Sequence, residues 1–219
     1  MGTIQIKYIQ FQNKLEYDRL HLFRGAIINH FENNILFHNH SNDKFRYAYP
    51  LIQYKSINGY AGILGINEGA NALDELSNIE SFQCYLGNTA YNMKLQSIST
   101  QIFFMNTTDS LNDYKIYGWL PLNQENYREF QKEQILSERI KMLEKILVGN
   151  ILSFAKGVQN HIDSTIICKL TYIEPQHTTH YKGVELTSFN ASFQSNILLP
   201  EYIGIGKGAS INHGNIFIK

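Results

Sequence analysis

Cysteine, long apolar runs and an excess of either charge are all missing from this sequence. Only two of its 219 residues are cysteine. Cys84 and Cys168 each lack a neighbouring cysteine, which excludes a zinc knuckle and a disulfide framework and points to a reducing cytoplasm. No uninterrupted apolar run approaches about 18 residues. Met1-Gly2-Thr3-Ile4-Gln5-Ile6-Lys7 alternates where a signal peptide would hold an apolar block, so neither secretion nor membrane spanning is expected. Ile6 stands where a myristoylation signal needs Ser or Thr. Lys and Arg number 19, as do Asp and Glu, for a formal net charge of zero. A protein that coats nucleic acid without regard to sequence is broadly basic, so any nucleic-acid contact here is local.

What is present is a globular composition, 43% hydrophobic and 13% aromatic, with enough length for one large domain or two small ones. Gly2 to Phe11 alternates, with Ile4, Ile6 and Tyr8 on one side, and reads as a strand. Asn13, three residues before Glu16, resembles a capping box and opens a helix over 14–31. Residues 45–55 read as a second strand that tolerates Pro50 best at an edge. Asn58-Gly59 is a hairpin signal leading to a third strand over 60–66. A short helix over 68–79 and a short strand over 82–86 complete a β-α-β-β-α-β order, the ferredoxin-like unit. Further strands follow at 91–104 and 114–122. An apolar stripe from Ile135 to Val158 then predicts the longest helix, and strands at 165–174, 181–197 and 215–218 close the chain. The fold class is α+β, two tandem ferredoxin-like (RRM-like) units, the second more irregular. The division is expected at residues 1–92 and 93–219.

Ionisable and aromatic side chains crowd into residues 38–55, which hold His38, His40, Lys44, Arg46, Tyr47, Tyr49, Tyr54 and Lys55. If residues 37–40 are extended, His38 and His40 point to the same side. Such a pair suits phosphodiester chemistry without metal, because imidazole titrates near neutral pH and can take a proton from a ribose 2′-hydroxyl or give one to a leaving 5′-oxygen. It would equally serve as two zinc ligands, with His30, His177, His180 or His213 completing the set, or as a polar turn before a strand. Spacing alone leaves these open. Tyr47 and Tyr49 share a face and are candidates for base stacking, with Tyr54 opposite. At the other end of the chain, Gly204, Gly206, Gly208 and Gly214 surround Lys207; phosphate is the natural guest of such a loop, and a purely structural turn is the competing reading that the glycines alone favour. It is neither a dinucleotide fingerprint nor a P-loop.

The His38-Asn39-His40 pair, the run Tyr49-Pro50-Leu51-Ile52-Gln53-Tyr54-Lys55 and the glycine loop together resemble the CRISPR-associated endoribonucleases that cut precursor CRISPR RNA within its repeats. The resemblance spans the whole chain. It implies two tandem ferredoxin-like units and metal-independent cleavage, with no cofactor, leaving a 2′,3′-cyclic phosphate and a 5′-hydroxyl. It also implies His38, His40 and Tyr47 as catalytic residues and an RNA-contacting loop formed by Gly204, Gly206, Lys207, Gly208, Ser210 and Gly214. The family's usual closing Gly-x-Gly is here Gly214-Asn215-Ile216. Arg24, Lys44, Arg46 and Lys55 are the further RNA-binding candidates, with Lys182 able to join them. The implied partners are CRISPR repeat RNA, other CRISPR effector subunits and a second copy of the chain. A non-catalytic RNA-binding subunit is the alternative.

Overall fold

The structure, a computed structural model, describes residues 2–31, 35–38, 49–174, 177–181 and 183–219. The chain forms two compact units. One comprises residues 3–103 with 210–212, and the other Gly2, 104–209 and 213–219.

In the N-terminal unit β1 (Gly2–Lys14), β2 (Ile52–Ile57), β3 (Tyr60–Ile66), β4 (Ser81–Leu86) and β5 (Thr89–Met105) form one sheet in the order β2-β3-β1-β5-β4. Strand β1 buries Ile4 and Ile6, then changes parity to bury Ile9 and Phe11, so both its faces are covered and Tyr8 is not the next core residue. The expected helix over 14–31 is shorter. Strand β1 runs on to Lys14, a single 3-10 turn covers Tyr17–Arg19, and α1 spans Leu20–His30. Asn13 caps nothing, because its amide pairs with the neighbouring strand, donating to the Asn92 carbonyl (2.9 Å) and accepting from the Lys94 N–H (2.9 Å). Leu20, Phe23, Ala26 and Ile27 form the buried stripe of α1, and Phe23 meets Phe11 and Tyr54 edge-on. A four-residue α2 (Ile35–His38) follows.

The β2–β3 hairpin closes on Asn58-Gly59, both with positive φ (53° and 78°), the backbone a two-residue primed turn requires. Strand β2 lies at the sheet edge with Pro50 just before it. The expected strand residues 45–48 lie outside the described residues. The helix expected over 68–79 is two short pieces, α3 (Glu68–Ala72) and α4 (Asp74–Ser77), with Leu73 and Leu76 in the core.

The division between units falls after Phe103 and not after residue 92. Around residue 92 the chain is continuous sheet: β4 turns back at Gly87-Asn88 into β5, pairing Ser81–Leu86 with Thr89–Lys94. Strand β5, not β4, takes the place beside β1 that the fourth strand of a ferredoxin-like unit would fill.

The C-terminal unit contains β6 (Thr107–Trp119), α5 (Gln124–Lys132), α6 (Leu136–Gly157), β7 (Cys168–Ile173), β8 (His177–Tyr181), β9 (Val184–Ile197) and β10 (Asn215–Ile218). Its sheet order is β10-β6-β9-β7, with β8 also pairing on β9. This is the β4-β1-β3-β2 order of a ferredoxin-like unit. The second crossover, residues 198–214, is the glycine-rich loop, and that substitution makes this unit the irregular one. Leu143, Leu147, Ile151 and Phe154 of α6 are buried at helical spacing, as the apolar stripe predicts. Fully buried Trp119 donates its indole N–H to Asn150 of α6 at 2.9 Å. No helix among the described residues is long and apolar enough to cross a membrane.

Candidate functional site

His38 closes α2, so the backbone at residues 37 and 38 is helical and not extended. The geometric premise that would place His38 and His40 side by side does not hold there. His40, Lys44, Arg46, Tyr47 and Lys182 lie outside the described residues. Phe37 is 1% exposed and stacks on Phe31, ring centroids 5.0 Å apart and planes 14° apart. The Tyr54 hydroxyl donates to the Phe37 carbonyl at 3.3 Å. The residue immediately before His38 is therefore held by packing and by a hydrogen bond from β2.

Tyr54 makes a second connection through its backbone. Its N–H donates to the Ser210 carbonyl at 2.8 Å, Tyr54 and Ile211 form a parallel bridge, and the Asn212 amide donates to the Ser56 carbonyl at 3.3 Å. Residues 210–212 thus extend the β2 edge within the N-terminal unit. One residue joins the segment carrying His38 to the segment carrying Ser210. At 1% exposure Tyr54 stacks no base, and burial raises its phenol pKa, with the Arg24 charge opposing that shift. Tyr49 is tied to Gln53, whose amide donates to the Tyr49 hydroxyl at 2.6 Å.

Lys55, an RNA-binding candidate in the sequence, is buried. It is 0% exposed, and loss of water around the ammonium holds its pKa well below the ordinary lysine value. A side chain so placed does not offer a surface charge to a phosphate. Its apolar neighbours in the run, Leu51, Ile52 and Tyr54, already marked this strand as a packed one. Arg24 on α1 is half-buried, and its Nε is buried with no hydrogen-bond partner among the described residues, so it keeps an unspent donor.

The glycines of the loop answer an internal demand. A Cβ at Gly214, where φ is +63°, would lie 2.1 Å from the Ile205 carbonyl oxygen. At Gly206 it would lie 2.5 Å from Asn150 Oδ1, the same atom that holds Trp119. The close approach that requires glycine is thus made by the chain itself. The loop is cross-linked by the Ile205 N–H to the Gly214 carbonyl (2.9 Å) and by the Gly214 N–H to the Gly118 carbonyl (3.2 Å). Gly204 and Gly208 are buried beside them, and Lys207 alone among residues 203–209 is exposed. Ile216, standing where the resemblance would have the last glycine, is a core residue of β10 at 0% exposure. His213 is buried, with Nδ1 3.1 Å from the Gly118 carbonyl and its ring against Tyr181, so it is committed to structure. Among the described residues no three His, Cys, Asp or Glu side chains converge as a metal site.

Two family domains match consecutively: the Cas6b N-terminal domain over residues 2–103 and the Cas6b C-terminal domain over residues 106–218. The chain belongs to the Cas6b family. The Cas6b domain boundary coincides with the division between the two compact units. Two solved structures share the fold over the full length of both chains: a Cas6b crystal structure, TM-score 0.88 and 24% identity, and a CRISPR RNA processing endoribonuclease Cas6b, TM-score 0.76 and 22% identity. A type IV Cas6 crRNA endonuclease, Csf5, also matches over both full lengths, with TM-score 0.61 and 11% identity. An uncharacterised protein of Methanocaldococcus jannaschii is 35% identical over 109 residues, 49% of this chain and 73% of that protein. Within this Cas6b frame, the contribution of Tyr54 was the part that motif reading missed. Parity was no signal for this, because β2 is buried on both faces, with Gln53 and Lys55 at 0% exposure and Tyr54 at 1%.

Proposed function

We propose that this chain is an endoribonuclease that matures CRISPR RNA by cutting within the repeat. The observation that carries the reading is the match of both Cas6b domains along the chain. The ribose 2′-oxygen attacks the adjacent phosphorus and the P–O5′ bond breaks. One imidazole of His38 and His40 accepts the 2′-hydroxyl proton, and the other gives a proton to the leaving 5′-oxygen. The products are a 2′,3′-cyclic phosphate and a 5′-hydroxyl, and no metal takes part. Tyr47 orients the phosphate or the histidine that acts as base. Fixation of Phe37 by Tyr54 supports a positioned His38, which general acid–base chemistry needs.

Each positioned acid or base is worth typically about 10²–10⁴-fold in rate. The double substitution His38→Ala, His40→Ala is expected to abolish cutting of cognate repeat RNA in excess chelator while gel-shift affinity stays within about threefold. Cutting by the double variant, or loss of wild-type cutting in chelator, refutes the mechanism. Wild-type binding without cutting would instead identify a non-catalytic RNA-binding subunit.

A further inference from the structure

A recess wholly within the C-terminal unit is left unused by that mechanism. Tyr127 and Gln124 of α5, Thr178 of β8, Val184 and Glu185 of β9, and Lys207 from the tip of the glycine loop line a cavity of about 530 Å³. We propose that this cavity takes one unpaired nucleotide of the repeat, its base against Tyr127 and its phosphate on Lys207. The inference rests on the RNA-processing reading and adds to it a base-binding subsite apart from the proton-transfer residues, which belong to the N-terminal unit.

Four observations converge. First, the volume lies in the range of about 300–1,000 Å³ typical of small-ligand sites. Second, Tyr127 is 43% exposed and its ring meets no other ring or cation among the described residues, so a π-face is left for stacking. Bases stack on such platforms whatever their identity. Third, Lys207 is exposed and makes no ion pair among the described residues, and a lone ammonium matches one phosphate and not a polyanion. Fourth, the remaining polar wall is mixed. The Gln124 amide can donate and accept, the Glu185 carboxylate accepts, and the Thr178 hydroxyl does either. That set suits the edge of a neutral base. Glu185 Oε1 lies 3.7 Å from His180 Nε2, and its other oxygen keeps the capacity to accept a hydrogen bond. The buried glycines fix the backbone on either side of Lys207, so the loop serves to present this one charge.

The test combines protein and RNA changes. Repeat RNA is made with single abasic nucleotides at successive positions, and affinities are measured by gel shift for wild type, Tyr127→Ala, Tyr127→Phe and Lys207→Met. Tyr127→Ala is expected to weaken binding roughly five- to hundredfold, and Tyr127→Phe to stay within about twofold, since the ring face is kept. One abasic position should cost wild type a similar factor and cost Tyr127→Ala nothing further. Tyr127 is exposed, so the variant is expected to melt within about two degrees of wild type. If Tyr127→Ala binds as well as wild type, or if its loss adds to every abasic loss, the subsite is refuted and the RNA-processing reading stands. If wild type neither binds nor cuts repeat RNA, both fall together.

Discussion

Lys55 brings a titration of its own to the stability of the fold. Its folded-state pKa is depressed by burial, while in the unfolded chain it titrates near 10.4. Between those two values the unfolded chain binds the proton and the folded chain does not, so stability rises with pH across that window, by up to about 1.4 kcal/mol per unit. Below the folded-state pKa the penalty is constant. Lys55→Met keeps the aliphatic length and removes the titration. The gap in unfolding free energy between Lys55→Met and wild type is therefore expected to narrow as pH is raised from 7 towards 10, read from urea midpoints at a series of pH values. A gap independent of pH would mean that Lys55 stays charged in the fold. Cys168 lies at the opposite extreme of usefulness. Burial pushes its thiol up to about 11, which leaves it a packing residue.

At the scale of elements, the glycine loop replaces a helix with a segment whose shape depends on contacts to itself. Gly214→Ala forces a left-handed residue with a Cβ into the Ile205 carbonyl, and such strain costs on the order of 1–3 kcal/mol. Trp119 is the sole tryptophan and is buried in the same unit, so its fluorescence is expected to report an earlier urea transition in Gly214→Ala than in wild type. Coincident transitions would show that the loop relaxes without strain. Elements governed by local chemistry were readable from the chain: the Asn58-Gly59 hairpin, the Leu143 to Phe154 stripe of α6 and the strand at 215–218. Those decided by distant partners were not. Asn13 has the spacing of a cap and is taken by β5, and β4 has the length of a terminal strand and is displaced by its own hairpin. The glycines look like a ligand cradle from sequence because a close approach is visible there, while the identity of the approaching atoms is not. The candidate site is legible in the sequence only as a set of residue types. Its placement on a helical turn at His38, and the burial of Lys55, depend on tertiary packing that no short window encodes.

For the whole molecule, zero net charge limits how much RNA affinity comes from released counterions. With Lys55 buried, the candidate phosphate contacts reduce to Lys44, Arg46, Lys182 and Lys207, with Arg24 half-buried. Single-stranded RNA neutralised at about four phosphates gives a slope of log affinity on log salt of about −3. Titration of the wild type from 50 to 200 mM salt is expected to give that shallow dependence, and a slope near −7 would require a basic surface that this composition does not provide.

The bond from Tyr54 to Ser210 also sets an order in time. The outer edge of β2 is completed by residues 210–212, which leave the ribosome more than 150 residues after β2 itself. Until they are made, the Tyr54 N–H lacks the Ser210 carbonyl it bonds in the fold, and an unpaired strand edge is of the kind that recruits other strands. A chain cut before residue 210 would therefore injure the first unit as well as the second.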